Sequence, residues 1–298
     1  MRDVTYLLRR ALFASFDDGL FTIAKGAAYS ALLSFFPIMA TLATVLLHAR
    51  ADFIRRNVVS FLEQILPPGT EGVVLQQFRY EGKRPNTLLF VAIVLSLWAA
   101  SSVIKSLIDG FNAAYRVPRN RSIVAHAVIG LMLALLEIVP LLGASSLIIF
   151  GGTVETAVIK LIKVDPILNP FAGWWEVFFR AIRYAIAFAA TATLTAILYF
   201  YGPYRKQRWR GVWPGAILAT VLWLIGTLVF GWYVSHMARY NVLYGSVGTA
   251  IALLIWMYVL SAIALFGCEF NAEYERMSLV TTPVGVRVQP HRMIGKTG

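Results

Sequence analysis

Three ionisable residues fall within otherwise apolar runs of this chain, and their positions predict a polar site inside a membrane. Glu137 lies near the middle of one run, and Arg180 and Arg183 lie near the start of the next. A charge at the centre of a membrane-spanning helix costs about 2.5–3.5 kcal/mol on insertion scales, so each charge needs a partner or a water-filled cavity. Because Arg183 lies roughly 10 Å from the midpoint of its run, it could contact Glu137.

Two interpretations of these residues stay open. In the first, Arg180 and Arg183 share a helix face at i, i+3 and bind an anionic group, while Glu137 relays a proton or a cation. Lys25, at the start of the first apolar run, joins this candidate substrate-binding set. In the second interpretation, Glu137 forms a structural ion pair and the arginines extend toward the lipid headgroups.

Two prolines interrupt the apolar runs and are candidates for helix rearrangement or gating. Pro37 lies near the centre of the first run and Pro140 lies within the third. Proline removes a backbone donor and kinks a helix. Ahead of Pro37, small residues recur every four positions at Gly26, Ser30 and Ser34, a stripe that lets another helix approach closely. A broken helix that lines a substrate path is one interpretation, and tight packing with a static kink is the favoured one.

Polar residues at the ends of the runs suggest contacts with the membrane surface. A basic loop with tryptophans nearby is typical of an anchor at the headgroups, and recognition of a specific acidic lipid is the alternative. Two pairs at i, i+4 spacing, Lys105 with Asp109 and Glu269 with Glu273, are interpreted as surface residues. The candidate headgroup-binding residues are Arg205, Lys206, Arg208 and Arg210.

The sequence lacks the catalytic residue patterns of several enzyme classes. The four histidines include no two that are close in sequence, so the spacing of a zinc hydrolase is missing. A phosphate-binding glycine loop and a serine nucleophile elbow are missing as well. The single cysteine, Cys268, lies in an apolar run and is interpreted as a small packing residue. We therefore expect no catalytic residue, no metal, no cofactor and no enzymatic activity.

The elements that must position these residues are membrane-spanning helices. Of 298 residues, 58% are hydrophobic and 14% are charged, whereas charged residues make up about 25% of a soluble globular domain. About 20 apolar residues cross the roughly 30 Å hydrocarbon core as a helix. The predicted fold is an all-α, polytopic bundle of about six transmembrane helices, with spans at about 26–48, 87–104, 122–150, 177–202, 212–237 and 246–268.

The segments between the spans predict one domain with a tail. Residues 52–66 and 154–175 carry apolar or tryptophan residues that suit amphipathic segments on the outer membrane surface. Residues 1–275 are predicted to form a single transmembrane domain. Residues 276–298, rich in small, polar and basic residues, are predicted to form a disordered cytoplasmic tail.

The distribution of Lys and Arg predicts the orientation and the partners. The N-terminus, the loops at 105–121 and 204–211 and the C-terminal tail hold most of the basic residues outside the spans. The positive-inside rule therefore places both termini in the cytoplasm. Because the net charge of +12 is spread over these short segments, the expected partners are membrane lipids with anionic headgroups and not nucleic acid.

Three stretches carry the most specific pattern in the chain. They are Gly26-Ala-Ala-Tyr-Ser-Ala-Leu-Leu-Ser-Phe-Phe-Pro37, Tyr244-Gly-Ser-Val-Gly-Thr-Ala-Ile-Ala-Leu-Leu-Ile-Trp-Met-Tyr258 and Gly267-Cys-Glu-Phe-Asn-Ala-Glu-Tyr-Glu275. They resemble the YihY/virulence factor BrkB family of bacterial inner-membrane proteins, over about 12–276. The resemblance implies a six-helix bundle in the inner membrane with both termini cytoplasmic. The resemblance also implies an older family label, ribonuclease BN, and associations of family members with serum resistance and with the export of envelope lipids.

These observations favour a transporter or flippase-like protein for an anionic or amphipathic envelope component. The alternative is a non-catalytic scaffold or assembly factor, which would use the outer segments and the small-residue stripe to hold an envelope protein partner or a second copy of itself. A membrane-associated ribonuclease is disfavoured, because metal-dependent RNA cleavage needs a cluster of His and acidic ligands. The sequence supplies no such cluster.

Overall fold

The computed structural model describes residues 4–48, 59, 86–118, 122, 124–136, 172–236 and 240–281. Over these residues every regular element of two or more residues is an α-helix. The helices are α1 Val4–Asp17, α2 Leu20–His48, α3 Asn86–Ala114, α4 Val124–Leu136, α5 Ala172–Tyr201, α6 Trp209–His236 and α7 Tyr240–Thr281.

Five helices in the described part of the chain are long and apolar enough to cross a membrane. Their outward faces carry large apolar side chains: Phe90 is 69% exposed, Trp98 67% and Leu228 74%. Lipid, and not water, is the solvent that such surfaces require. The prediction of a polytopic helical membrane protein is therefore confirmed. The candidate spans are Leu20–Val45, Leu89–Ala114, Ala181–Tyr201, Trp209–Tyr233 and Ala250–Ser278.

Several predicted boundaries differ from the helices. The second span was expected to end at Ile104, yet α3 continues to Ala114, because polar residues such as Lys105 stop an apolar run without stopping a helix. Likewise α7 continues to Thr281, past the predicted domain boundary at residue 275. The amphipathic segment 52–66 (apart from Val59) and most of the predicted third span, 122–150, lie outside the described residues, as do residues 282–298.

The helices converge at one end of the bundle. The starts of α2, α4 and α6 and the ends of α3, α5 and α7 lie at this end, and α1 packs there against α2 and α7; we call it the α1 end. Side-chain contacts join these termini: Arg116 to Asp18, and the Asn112 side chain to the Tyr204 backbone at 2.7 Å. Helix α7 is the hub, because it packs against α1, α2, α3 and α6.

The largest buried cluster also lies at the α1 end. Phe111 and Tyr199 meet edge to face with ring centroids 5.3 Å apart, and the Tyr199 hydroxyl donates to the Ala264 carbonyl at 2.5 Å. Cys268 is fully buried in this cluster, which confirms its interpretation as a packing residue. The buried members are Leu20, Ala24, Phe111, Ala114, Tyr115, Ala196, Tyr199, Val212, Ala216, Ala219, Leu265, Cys268 and Ala272.

The small-residue stripe of α2 packs on α3 through its serines. The Ser34 hydroxyl donates to the Ala99 carbonyl at 3.0 Å, and the Ser30 and Ser106 hydroxyls lie 3.4 Å apart. Close packing is thus confirmed for two of the three positions. Gly26 is exposed and a side chain built there would meet nothing within 4 Å. Helix α2 continues on both sides of Pro37.

Candidate functional site

The C-terminal part of α7 carries polar residues within an otherwise apolar helix. At 1.5 Å per residue α7 is about 63 Å long, about twice the hydrocarbon thickness, so part of it must extend beyond the hydrocarbon. We call the following residues the α7 polar cluster: Glu269, Asn271, Glu273, Glu275 and Arg276. Each of them contacts another charged residue or another helix.

Two buried glutamates share the Arg276 guanidinium. Glu269 is fully buried and Glu273 is 3% exposed. Arg276 Nη1 lies 3.1 Å from Glu269 Oε1 and also contacts Glu273 Oε1. Arg10 of α1 lies with its Nε 2.5 Å from Glu273 Oε2. The interpretation of these glutamates as surface residues is therefore wrong, because the packing at the α1 end removes both from solvent.

Arg276 also ties α7 to α3. Its Nη2 donates to the Ala114 carbonyl at 2.6 Å, and Ala114 is the last residue of α3, where helix carbonyls lack intrahelical partners. The Glu269 Oε2 atom differs from these groups. It is buried, and no hydrogen-bond donor among the described residues reaches it. Glu273 Oε2 is also buried without a hydrogen-bond donor in this part of the chain, but it lies beside Arg10 Nε, so Glu269 Oε2 is the one of the two that has no ion-pair contact either.

Asn271 connects α7 to the proline turn of α6. Its side-chain carbonyl accepts from the Gly215 N–H at 2.6 Å, and its amide nitrogen donates to the Val212 carbonyl at 2.9 Å. These groups flank Pro214, which has no N–H and disturbs the preceding turn. The buried Asn271 thus supplies hydrogen bonds on both sides of the proline.

Glu275 contacts the basic segment between α5 and α6. It pairs with Arg205, whose guanidinium carbon lies 4.4 Å from the centroid of the Tyr115 ring. Burial raises the pKa of the Tyr115 phenol, so the ring stays neutral beneath the cation. One of the four candidate headgroup-binding residues is therefore engaged within the protein. The other three, Lys206, Arg208 and Arg210, are exposed.

Arg116 links the end of α3 to the turn between α1 and α2. The amides of Arg116 and Val117 donate to the carbonyls of Ala113 and Asn112, the hydrogen-bond pattern of a Schellman helix end. Arg116 has a φ of 54°, in the left-handed region that favours glycine. Its side chain lies 3.1 Å from Asp18 Oδ1, so the strained position carries an ion pair that glycine could not form.

Arg183, one of the residues of the arginine and glutamate site predicted from the sequence, lies toward the other end of α5. Arg183 is half-buried, with its guanidinium carbon 5.4 Å from the Tyr184 ring centroid, and lies about 27 Å along the helix from Tyr201 at the α1 end. The side chain of Arg180 lies outside the described residues, as do Glu137 and Pro140. The contact between Glu137 and Arg183 therefore stays a prediction.

Lys25, the fourth member of the predicted substrate-binding set, is exposed at the start of α2. The structure places it at the α1 end, so it does not lie beside Arg183. Sequence reasoning also did not assign a role to Asn271, Arg10 or Arg276. The available signal was the run of polar residues that follows Cys268 on an apolar helix, within the third of the family-like stretches.

Metal binding finds no ready set of ligands at the α1 end. Among the described residues no group of three or more His, Cys, Asp or Glu side chains could hold a metal ion. The acidic residues pair with arginines instead: Glu269 and Glu273 with Arg276, and Asp18 with Arg116. Ion-pair exchange and proton binding are the chemistry that this arrangement can perform.

Comparisons with known proteins agree on a single family. The sequence profile of the virulence factor BrkB family matches residues 14–290. A ribonuclease-like protein, YfkH of Bacillus subtilis strain 168, is 30% identical over 250 residues, which cover 82% of this chain and 86% of the relative. A UPF0761 membrane protein of Tolumonas auensis is 25% identical over 278 residues, covering 90% of this chain and 86% of the relative. No solved structure matches the chain significantly.

Proposed function

Because this chain is a membrane protein that belongs to the virulence factor BrkB family, we propose that it is a transporter or flippase-like protein for an anionic or amphipathic component of the cell envelope. The observation that carries the proposal is the position of Arg183, three residues into the candidate span Ala181–Tyr201. Arg180 precedes it by three residues on the same helix, so the two cations share a face.

A cation in an apolar span favours an anionic ligand. Desolvation makes an arginine within hydrocarbon costly, and an anion that binds there recovers part of that free energy. The neighbouring Tyr184 is 58% exposed, and such a ring offers an apolar face beside the charge. An amphipathic molecule with a phosphate or carboxylate headgroup matches both features, and Glu137, Pro37 and Pro140 keep their proposed roles in charge modulation and helix rearrangement.

The proposed location is the bacterial inner membrane, with both termini in the cytoplasm. Exposed cations at the α1 end support this orientation, because basic residues accumulate on the cytoplasmic side of bacterial membranes. They also support headgroup binding by Lys206, Arg208 and Arg210, with Arg205 positioned by Glu275.

Purified protein in liposomes tests the proposal. The probe is a fluorescently labelled phosphatidylglycerol whose movement between leaflets is followed with an impermeant quencher. We expect Arg183→Ala to slow its movement by roughly tenfold or more, because a charge-assisted hydrogen bond contributes about 1.5–3 kcal/mol. Arg183→Lys should retain part of the activity.

The matched control is Arg9→Ala, which removes an exposed arginine that stacks on Phe13 at 5.6 Å and lies at the α1 end. It should leave the movement of the lipid unchanged. A monodisperse Arg183→Ala protein that moves the lipid as fast as the unaltered chain would eliminate the proposed site.

A scaffold protein would have fewer surfaces available for binding a partner. Ser30 and Ser34 of the small-residue stripe are occupied by α3, so a partner would have to use the segment around 52–84 or exposed helix faces. Site-specific crosslinking from that segment in cells discriminates: a stoichiometric protein partner, together with no lipid movement by the purified chain, would favour the scaffold.

We also propose that the chain is not an enzyme. The ribonuclease-like name belongs to the relative from Bacillus subtilis, and the four scattered histidines of this chain support a non-hydrolytic function. Cleavage of labelled RNA by the purified protein, dependent on an added divalent cation and lost on chelation, would contradict this proposal.

A further inference from the structure

Glu269 occupies an unusual position in the ion-pair network at the α1 end. One of its oxygens accepts from Arg276 at 3.1 Å, and the other, Oε2, is buried without a hydrogen-bond donor among the described residues. Glu273 is also buried, and its Oε2 likewise accepts no hydrogen bond among the described residues, but that atom lies 2.5 Å from Arg10 Nε in an ion pair. The two glutamates therefore differ in that Glu269 Oε2 has neither a hydrogen bond nor an ion-pair contact in this part of the chain.

The charges around Glu269 come from several elements. Arg276 and Glu273 face it from α7, and Asp18 faces it from the turn between α1 and α2. Arg10 of α1 lies on the far side of Glu273. Arg116 is held by Asp18 and Arg205 by Glu275, so neither cation is available as a second partner for Glu269 in this arrangement.

We propose that Glu269 Oε2 is a proton-binding site, and that proton binding there couples movement of the α7 end to the transport cycle. The inference rests on the proposed transport function. A buried carboxylate oxygen that no donor in the described part of the chain reaches is the atom in the network where a proton is accommodated with the least rearrangement.

Proton binding at Glu269 needs no reactant other than water. A proton from water adds to Oε2, the carboxylate becomes a neutral carboxylic acid, and Arg276 keeps its own proton. Arg276 then retains Glu273 and the Ala114 carbonyl as partners but loses the charge of Glu269. Arg276 joins α7 to α3 through the Ala114 carbonyl and, through Glu273 and Arg10, to α1, so protonation of Glu269 changes the charge balance at the junction of three helices.

Infrared difference spectroscopy of the full chain in lipid tests proton binding directly. As the pH is lowered from about 9 to about 5, the C=O band of a protonated carboxyl group should appear in the unaltered protein. The band should be absent from Glu269→Gln, which keeps an oxygen for Arg276, and present in the matched variant Glu273→Gln. A band of equal size in Glu269→Gln, or no band in the unaltered protein, would overturn the proposal.

If Glu269→Gln does not give a monodisperse protein, Glu269→Asp replaces it. The shorter side chain moves the carboxyl group away from Arg276, so the band should persist with its titration displaced. A titration identical to that of the unaltered chain would show that another group binds the proton.

The liposome assay with labelled phosphatidylglycerol tests the coupling. An imposed pH difference should change the rate of lipid movement by up to about tenfold per pH unit in the unaltered protein, and should have no effect on Glu269→Gln. A response that survives in Glu269→Gln would overturn the coupling while leaving transport intact. No lipid movement in any protein, with the Glu269 band still present, would instead contradict the proposed transport of this lipid.

Discussion

The side chain of Asn271 links helices α6 and α7 through two hydrogen bonds. It bonds to Gly215 and Val212 of α6, on either side of the proline that disturbs this turn. Asn271 itself is 1% exposed, so water does not replace these bonds when they are lost. Buried backbone groups without partners cost about 1–3 kcal/mol each.

We expect Asn271→Leu to lower the free energy of unfolding by about 2–4 kcal/mol, because both backbone groups lose a partner. Asn271→Asp should have an intermediate effect, since a carboxylate still accepts from Gly215 but cannot donate to Val212. Thermal unfolding in detergent measures both. Thr227→Val is the control, because in the described part of the chain the Thr227 hydroxyl bonds within its own helix to the Trp223 carbonyl. Equal melting temperatures for Asn271→Leu and the control would contradict this role.

The same residues show what spacing along a sequence can and cannot predict. Its place in an apolar run and the lack of a second cysteine in the sequence were enough to assign Cys268 to packing. For Glu269 and Glu273, the i, i+4 spacing correctly implies a shared helix face, but it carries no information about what covers that face. Arg10, from the other end of the chain, covers Glu273, and a contact so distant in sequence leaves no local pattern.

At the scale of the elements, α6 and α7 cross at a pair of glycines. A methyl group at Gly267 would lie 2.7 Å from the Ala219 side chain, and one at Gly215 would overlap the Gly267 carbonyl and lie 2.6 Å from the Asn271 amide. Small residues at such crossings let helix backbones approach closely in a membrane. This approach is also what brings Asn271 within reach of the backbone of α6.

Gly215→Ala should therefore destabilise the protein by about 1–3 kcal/mol, because the added methyl group forces the helices apart. Gly231→Ala lies on the same helix, where an added methyl group meets nothing within 4 Å. It should be neutral or stabilise by up to about 1 kcal/mol through helix propensity. Thermal unfolding of the two variants in one detergent provides the comparison. A Gly215→Ala protein as stable as Gly231→Ala would show that the crossing tolerates separation.

The elements themselves could be predicted because each must present a long apolar surface to lipid. Their ends could not, since the polar residues of α3 and α7 that interrupt the apolar runs are used inside the protein. Asn112 of α3, for example, is buried and bonds to the backbone of Tyr204. A hydropathy scale identifies residues that are unfavourable in lipid. It does not show whether such a residue contacts water or a polar protein interior.

At the scale of the whole molecule, the two ends of the bundle differ. The largest buried cluster and the described ion pairs meet at the α1 end, with exposed cations around them. Arg183 lies toward the opposite end of α5. In the transport cycle that we propose, the α1 end is the fixed base until a proton reaches Glu269.

The orientation of this base can be tested with introduced cysteines, since the native Cys268 is fully buried. Lys206→Cys lies at the α1 end and Thr87→Cys at the start of α3, and both positions are exposed. If the α1 end faces the cytoplasm, an impermeant maleimide should label Thr87→Cys in intact spheroplasts, and Lys206→Cys only after permeabilisation. The reverse pattern would contradict the proposed orientation.

The contact between α1 and α7 has a consequence for how the protein is made. Leu7 and Ala11 of α1 pack against Phe270, and Arg10 pairs with Glu273. The ribosome releases α1 long before it has translated α7, and chains build their native contacts in the order in which segments emerge. The contacts of α1 with α7 therefore form only after the intervening spans have been translated. Docking of α1 on α7 therefore requires that the last span has been translated. In a prematurely terminated chain, the face of α1 that carries Leu7 and Ala11 would lack Phe270 as a partner and would be accessible to proteases.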